Sequence, residues 1–224
     1  MAVNMYETLL LLPLFQGISR EDMTKILEKV KFHFIQYKAG DTIVQSGETS
    51  DKLFFILNGE IESHYQPQKD FTFIEYIRAP HVIEPYSLFG LNVSYSASYI
   101  AHTKIDAVSI NKSFIIEELF SYEIFRFNYV NLISNRAQVL YKRLWIAIPE
   151  HIEHKIILFI GLHSERPQGK KVLKIKMEDL ARYANDTRLN VSKALNNLQE
   201  RNLVILRRKE VIIPELETLL NSIK

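Results

Sequence analysis

The residues best suited to chemistry lie between Glu178 and Glu215, which reads EDLARYANDTRLNVSKALNNLQERNLVILRRKEVIIPE. Leu180, Ala181 and Ala184 fall at the spacing of one helical face, and Val191, Ala194, Leu195 and Leu198 form a second such face. Asn185 and Asp186 separate the two runs. Asparagine tolerates the left-handed backbone that a tight helix–turn–helix corner requires, and Thr187 is a natural N-cap for the helix that follows. The outer face of that second helix carries Arg188, Leu189, Asn190, Ser192, Lys193 and Asn197, which are mostly side chains that hydrogen-bond to base edges and phosphates. The run VILRRKEVIIP then reads as a β-hairpin with Arg207, Arg208 and Lys209 at its tip. An ordinary pair of packed helices needs neither the small residues at the corner nor a basic, amide-rich face followed by a basic hairpin. The pattern is that of a winged helix–turn–helix whose second helix enters the major groove of double-stranded DNA.

Charge points the same way. Residues 1–148 hold 14 basic against 16 acidic side chains, and residues 149–224 hold 14 against 10. Within 165–209 the count is 12 basic against 5 acidic, so a basic rear section is set to meet a polyanion.

A second stretch of interest, VIEPYSLFGLNVSYSAS from Val82 to Ser98, interrupts a β-rich region. It combines hydroxyls, aromatics and one acid, Glu84, in the manner of a small-molecule pocket. Glu84, Pro85, Tyr86, Leu88, Phe89, Tyr95 and Ser96 are its candidate lining, with Leu140 and Tyr141 closing it from a later helix. The alternative is a pocket filled by its own tyrosines.

Several chemistries are excluded or unsupported. There is no cysteine, which removes disulfides, thiolate metal sites and cysteine-held iron–sulfur clusters, and fits a reducing cytoplasm. No His-x-His with a following acid marks a jelly-roll metalloenzyme, and neither a phosphate-binding glycine loop nor a G-x-S-x-G elbow occurs. No enzyme activity and no metal site are expected. A protein-binding scaffold is the remaining rival, and the basic face argues against it. The apolar run Leu9–Leu12 is too short to span a membrane and reads as an N-terminal helix packed on the body.

The elements that must position these groups follow from the hydrophobic period. Ser19 caps a short amphipathic helix with Met23, Ile26, Leu27 and Val30 inward. From Lys31 to Ile110 short β-rich runs alternate with turns at Gly40, Gly47 and Asn58–Glu60, the signature of a sandwich or barrel. From Ser113 to Ile148 there is neither proline nor glycine, and the spacing predicts one long helix. Tyr129, Ile133, Ala137, Leu140 and Leu144 share a face there, with Phe120, Phe125, Phe127 and Trp145 adding apolar surface, so a second copy is the expected partner. Pro149 ends this helix and sets the expected boundary between a domain at 1–148 and one at 149–224.

With LPLFQGIS, YKAGDTIVQSGETSDKLFFILNGEIE, SASYIAHTKIDAVSI and LARYANDTRLNVSKALNNLQERNLV in place, the chain resembles Crp/Fnr-type transcription regulators from about Leu10 to Leu220. The resemblance implies an α+β architecture: an N-terminal β jelly roll of the cyclic-nucleotide-binding type with flanking helices, a long dimerisation helix and a C-terminal winged helix–turn–helix. It implies a homodimer on a two-fold symmetric operator, with RNA polymerase as a further partner. The family's base-reading positions fall on Arg188, Leu189 and Lys193. Arg188 can take guanine bidentately, whereas Leu189 can only contact a thymine methyl, so the half-site should differ from the family's usual one. Asn190 is a candidate adenine reader, and Thr187, Ser192 and the Arg207–Lys209 tip suit phosphates.

For the sensor, cyclic-AMP-binding members use a Gly-Glu pair and an Arg-Ser pair. The matching positions here are Glu84-Pro85 and Tyr95-Ser96. Proline supplies neither carboxylate nor backbone donor, and a neutral phenol cannot replace a guanidinium at phosphate. Cyclic AMP is therefore not expected. The iron–sulfur branch is excluded by the missing cysteines. A haem-binding branch stays open, with His64, His81 and His102 as the sensor's histidines. The effector is either another small molecule or none.

Overall fold

The computed structural model describes residues 2–67 and 70–222, with side chains described from residue 7 onward. In chain order the elements are α1 (Ala2–Leu11), α2 (Arg20–Lys29), β1 (His33–Tyr37), β2 (Thr42–Val44), β3 (Lys52–Asn58), β4 (Glu60–Tyr65), β5 (Phe71–Arg78), β6 (His81–Ile83), β7 (Ser98–Ala101), β8 (Ile105–Asn111), α3 (Lys112–Glu117), α4 (Glu123–Arg143), α5 (Ile152–His163), β9 (Lys171–Ile175), α6 (Met177–Ala184), α7 (Arg188–Glu200), β10 (Ile205–Arg207), β11 (Glu210–Ile213) and α8 (Leu216–Asn221). By packing they form two units. One runs through Ile61 and includes Arg78–Leu144; the other is Glu62–Ile77 together with the chain from Trp145.

The first unit is the jelly-roll part. Its one sheet has the antiparallel order β1-β8-β3-β6, with Phe55 opposite Val108 and Phe54 opposite Ile83, and β2 pairs β7 in the other layer. The burial of β3 shows why the sequence folds this way: Leu53, Phe54, Phe55 and Ile56 are all buried. Asn58–Gly59 makes the turn into β4. Gly59 has φ 96°, and a Cβ there would lie 2.4 Å from the Lys104 carbonyl oxygen, so no other residue fits. Ser19 caps α2 by accepting from the Asp22 N–H, as its position predicts. Leu9, Leu12, Phe15, Met23 and Ile26 close the core over Phe55, Val108, Ile110 and Phe125.

The single helix expected over 113–148 is not formed. Instead α3 ends at Glu117, a 3-10 turn spans Leu119–Ser121, and α4 runs from Glu123 to Arg143. Ile115, Leu119 and Phe125 are each fully buried in the core of the first unit, and the 3-10 turn between the two helices carries Leu119 into it. Core burial overrides the uninterrupted helical propensity here. At the other end the helix stops well before Pro149, and Leu144, Ile146 and Ile148 are exposed.

The second unit is built on α5, α6 and α7 packed over a sheet that contains β10-β11-β9-β5. Ile156, Ile157, Ile160, Leu180, Val191, Leu195 and Leu198 are its buried core. β9 was not foreseen in the sequence. The strand beside it, β5, lies within the β-rich run expected from the sequence, but its partner was not expected: it pairs antiparallel with β9, from Phe71 opposite Ile175 to Glu75 opposite Lys171. Phe71 and Phe73 join the core of this unit.

Candidate nucleic-acid interface and sensor cassette

The helix–turn–helix corner has the geometry its residues predict. Asn185 closes α6 in the left-handed region (φ 48°, ψ 55°), and its N–H reaches back to the carbonyls of Ala181 and Arg182. Thr187 then caps α7, its hydroxyl accepting from the Asn190 N–H at 3.2 Å. Asp186 adds to this cap. Its carboxylate accepts from the Thr187 N–H at 2.7 Å and from Asn190 Nδ2 at 2.8 Å, and those bonds hold its pKa below the ordinary value. The negative charge also sits at the positive end of the α7 dipole.

With the buried stripe of α7 turned to the core, Thr187, Arg188, Leu189, Asn190 and Lys193 stand exposed and Ser192 is half-buried. Leu189 is 64% exposed, which nothing within the unit requires. Arg188 Nη1 lies 3.2 Å from Glu178 Oε1, both side chains being well exposed. Such a surface pair is worth about 0–1 kcal/mol, less than the ~1–3 kcal/mol of a bidentate guanine contact, so Arg188 can leave it for a base. The α7 face continues into an open groove of about 540 Å³, lined by His151, Glu153, His154, Asn190, Lys193 and Asn197.

The wing is present as read: Ile205 pairs Ile212 and Arg207 pairs Glu210, with Arg208 and Lys209 in the turn. Lys209 has φ 60°, and all three basic side chains at this tip are exposed. Lys174, Lys176, Arg208 and Lys209 surround a shallow depression whose other wall is Asp70, Phe71 and Thr72 of the β5 arm.

That arm is pinned to the unit by charge. Lys171 Nζ lies 2.9 Å from Glu75 Oε1, with the two side chains 1% and 7% exposed. The contact is ionic rather than a directed hydrogen bond; Nζ donates instead to the Gln168 carbonyl at 2.8 Å, and Glu75 Oε2 accepts from the Glu165 N–H. On the surface Arg182 Nη2 and the Tyr183 hydroxyl both donate to Asp70 Oδ2. An acid in the middle of the apolar run FTFIEYI was the signal in the sequence that could have exposed this contact.

In the first unit the cassette residues part company. Tyr95 is buried and its hydroxyl donates to the Lys52 carbonyl at 3.0 Å; burial pushes this phenol up to about 12. Leu88 is a core residue, and Phe89 packs into a cluster with Phe120 and Tyr129. Tyr86 lies under the Arg136 guanidinium, 3.8 Å from ring centroid to Cζ. The Tyr129 hydroxyl donates to the Pro85 carbonyl. Leu140 and Tyr141 are exposed on α4, 48% and 61%. The residues brought together are Glu84 and Ser96, with Ser87 and Ala97, which were not foreseen. Glu84 is 2% exposed, and its carboxylate accepts from both Ser87 and Ser96 hydroxyls and from the Ser96 and Ala97 N–H groups.

Of the expected dimer face, Tyr129 is turned into its own unit's core and Ile133 is half-buried, so the five residues do not form one exposed stripe. Ala137, Leu140 and Leu144 are exposed. Among the sensor histidines, His64 lies 2.7 Å from Glu62 and His102 lies 3.8 Å from Glu60, while His81 is buried on β6. No His, Asp and Glu cluster able to hold a metal occurs among the described residues.

Two family models match the chain. Residues 34–122 match the family model described as a cyclic nucleotide-binding domain, and residues 155–222 match a Crp-like helix-turn-helix domain. The chain belongs to the Crp/Fnr family of transcription regulators. Among solved structures, this Crp/Fnr chain is similar in fold to the catabolite activator protein of Thermus thermophilus, at 19% identity and a TM-score of 0.55, over 95% of this chain and 98% of that one. It is also similar to CLP of Xanthomonas campestris, described as a c-di-GMP-responsive global regulator, at 16% identity and a TM-score of 0.50, over 88% and 99% of the two chains. The sensor domain of DNR, a transcriptional regulator from Pseudomonas aeruginosa, matches at 14% identity and a TM-score of 0.50, over 64% and 99%. At these identities the likeness concerns the fold. No curated protein matches the Crp/Fnr chain in sequence. No described helix is long and apolar enough to cross a membrane.

Proposed function

We propose that this chain is a homodimeric, sequence-specific DNA-binding regulator acting on a two-fold symmetric operator, with a sensor cassette that no longer takes a cyclic nucleotide. The observation that carries the DNA reading is the exposed α7 face behind an asparagine corner: Arg188, Leu189, Asn190 and Lys193 point outward while every large apolar residue of the helix other than Leu189 is buried. Arg188 reads guanine, Leu189 meets a thymine methyl, and Asn190 leaves Asp186 to read adenine. Thr187, Ser192 and the Arg207–Lys209 wing tip hold phosphates. In a symmetric dimer the two α7 helices enter successive major grooves about 34 Å apart.

Dimerisation is supported by the apolar surface that α4 leaves uncovered in a single chain. Phe127, Val130, Ala137, Tyr141 and Leu144 are all exposed and keep three- and four-residue steps through Ser134. The sensor reading is supported by Pro85 and Tyr95. The first has no donor, and the second turns its hydroxyl to a backbone carbonyl.

The test is operator selection with the full-length chain, followed by mobility shift. Arg188→Ala should lose about 1–3 kcal/mol of affinity and relax specificity at one base pair of each half-site, whereas Lys209→Ala should weaken all sequences alike and flatten the salt dependence. Unchanged affinity and specificity in Arg188→Ala would remove α7 as the reading helix.

A further inference from the structure

Glu84 combines three features that ordinary packing does not explain together. Its backbone is left-handed (φ 34°, ψ 58°), a region that side chains other than glycine and asparagine rarely adopt. Its carboxylate is buried, and among the described residues no lysine or arginine forms an ion pair with it. The Arg136 guanidinium lies over the ring of Tyr86, two residues on from Glu84. Among the described residues the carboxylate meets dipoles: the Ser87 hydroxyl at 2.6 Å, the Ser96 N–H and hydroxyl at 2.8 Å each, and the Ala97 N–H at 2.9 Å.

Four donors converging from two separate chain segments on one pair of oxygens make an oxyanion receptor. The donors come from the turn after β6 and the segment before β7, which are brought together around this carboxylate. A residue with a strained backbone and a desolvated charge persists only where its surroundings repay both costs, and here the repayment is these four bonds.

We propose that Ser87, Ser96 and Ala97 form an oxyanion-binding cradle in which the Glu84 carboxylate is a built-in ligand, so that the site is permanently filled and needs no diffusible anion. The cradle takes tetrahedral or planar oxyanions of the phosphate and carboxylate class. It deepens the sensor reading above, on which its regulatory meaning rests: the anion position has an occupant that belongs to the chain.

Full-length Glu84→Gly tests this sharply, because glycine removes the carboxylate and at the same time relieves the left-handed backbone. A merely decorative Glu84 would make the glycine variant as stable as the parent or more so. The cradle predicts a melting temperature several degrees lower, recovered by millimolar acetate or inorganic phosphate but not by chloride at equal ionic strength; the parent shows no such anion dependence. Comparing the acetate and phosphate arms identifies which oxyanion fits. If Glu84→Gly does not fold unaided, recovery on refolding with acetate or phosphate supports the cradle, and no recovery overturns it. Glu84→Gln keeps the shape but aims an amide N–H₂ at donors, and should be destabilised without anion rescue; a Gln variant as stable as the parent also overturns the proposal. Calorimetry of the parent with cyclic AMP separates the two readings. Binding there would sink the sensor reading, whereas a silent parent with an unrescued glycine variant sinks the cradle alone.

Discussion

Asn185 and Glu84 both hold a left-handed backbone without being glycine, for opposite reasons. Asn185 does so at low cost because its short polar side chain suits that region, and the helix–turn–helix corner needs the turn. Glu84 does so to deliver a charge. The tyrosines around it act differently again. Burial raises the Tyr95 phenol to about 12 and raises Tyr129 as well, so each is neutral in the folded chain over a wider pH range than in the unfolded one. Because the folded values lie above the ordinary value of about 10, the stability these phenols contribute is complete below pH ~10 and is lost as the pH rises through about 12. An alkaline denaturation series should therefore show steepening loss from pH ~10 that Tyr95→Phe attenuates, followed by tyrosinate absorbance. A parallel loss in both proteins would mean that other groups control alkaline unfolding.

Among the elements, β5 has the least expected role. A strand that precedes most of the sensor in the chain supplies part of the sheet of the DNA-binding unit, with Phe71 and Phe73 in its core and Glu75 against Lys171. A surface ion pair would contribute little, but one member of a buried pair cannot be removed without stranding the other. Glu75→Ala leaves an ammonium 1% exposed with a single carbonyl acceptor, and should cost the DNA-binding unit about 3–5 kcal/mol in denaturant unfolding, with loss of operator binding at elevated temperature. Glu75→Leu combined with Lys171→Met should recover most of that stability, since well-packed apolar replacements of such pairs are near neutral. If Glu75→Ala alone is neutral, the pair holds nothing together.

For the molecule as a whole, the decisive question is what covers α4. Leu144 is 76% exposed and Phe127 is 57% exposed, which makes an apolar seam that a second copy of the chain can bury. Val130→Asp with Leu144→Asp should convert the protein to a monomer in analytical ultracentrifugation. Operator affinity should fall on the order of a hundredfold as the second half-site becomes a separate binding event. A dimer that survives this change would place the interface elsewhere.

Much of this was legible in the residues. The Asn185 corner, the Thr187 cap, the inner stripe of α7 and the basic wing depend on contacts within a few residues, and local propensity and helical period report such contacts directly. The turns of the jelly roll and the basic rear of the chain were legible for the same reason. What the sequence left open depends on contacts across long separations. That residues 113–148 break into α3, a 3-10 turn and α4 was decided by packing against distant parts of the first unit, where Ile115, Leu119 and Phe125 are all buried. That β5 pairs with β9, and that Glu84 turns its carboxylate to Ser96 and Ala97, were decided by which segments tertiary packing brings together; Glu75 within FTFIEYI hints at a buried partner but does not name it. Sequence alone determined the helix–turn–helix with its hairpin and the family of the chain; only the tertiary structure decided where the Glu84 carboxylate lies, because a carboxylate shows its place only once its donors are in place.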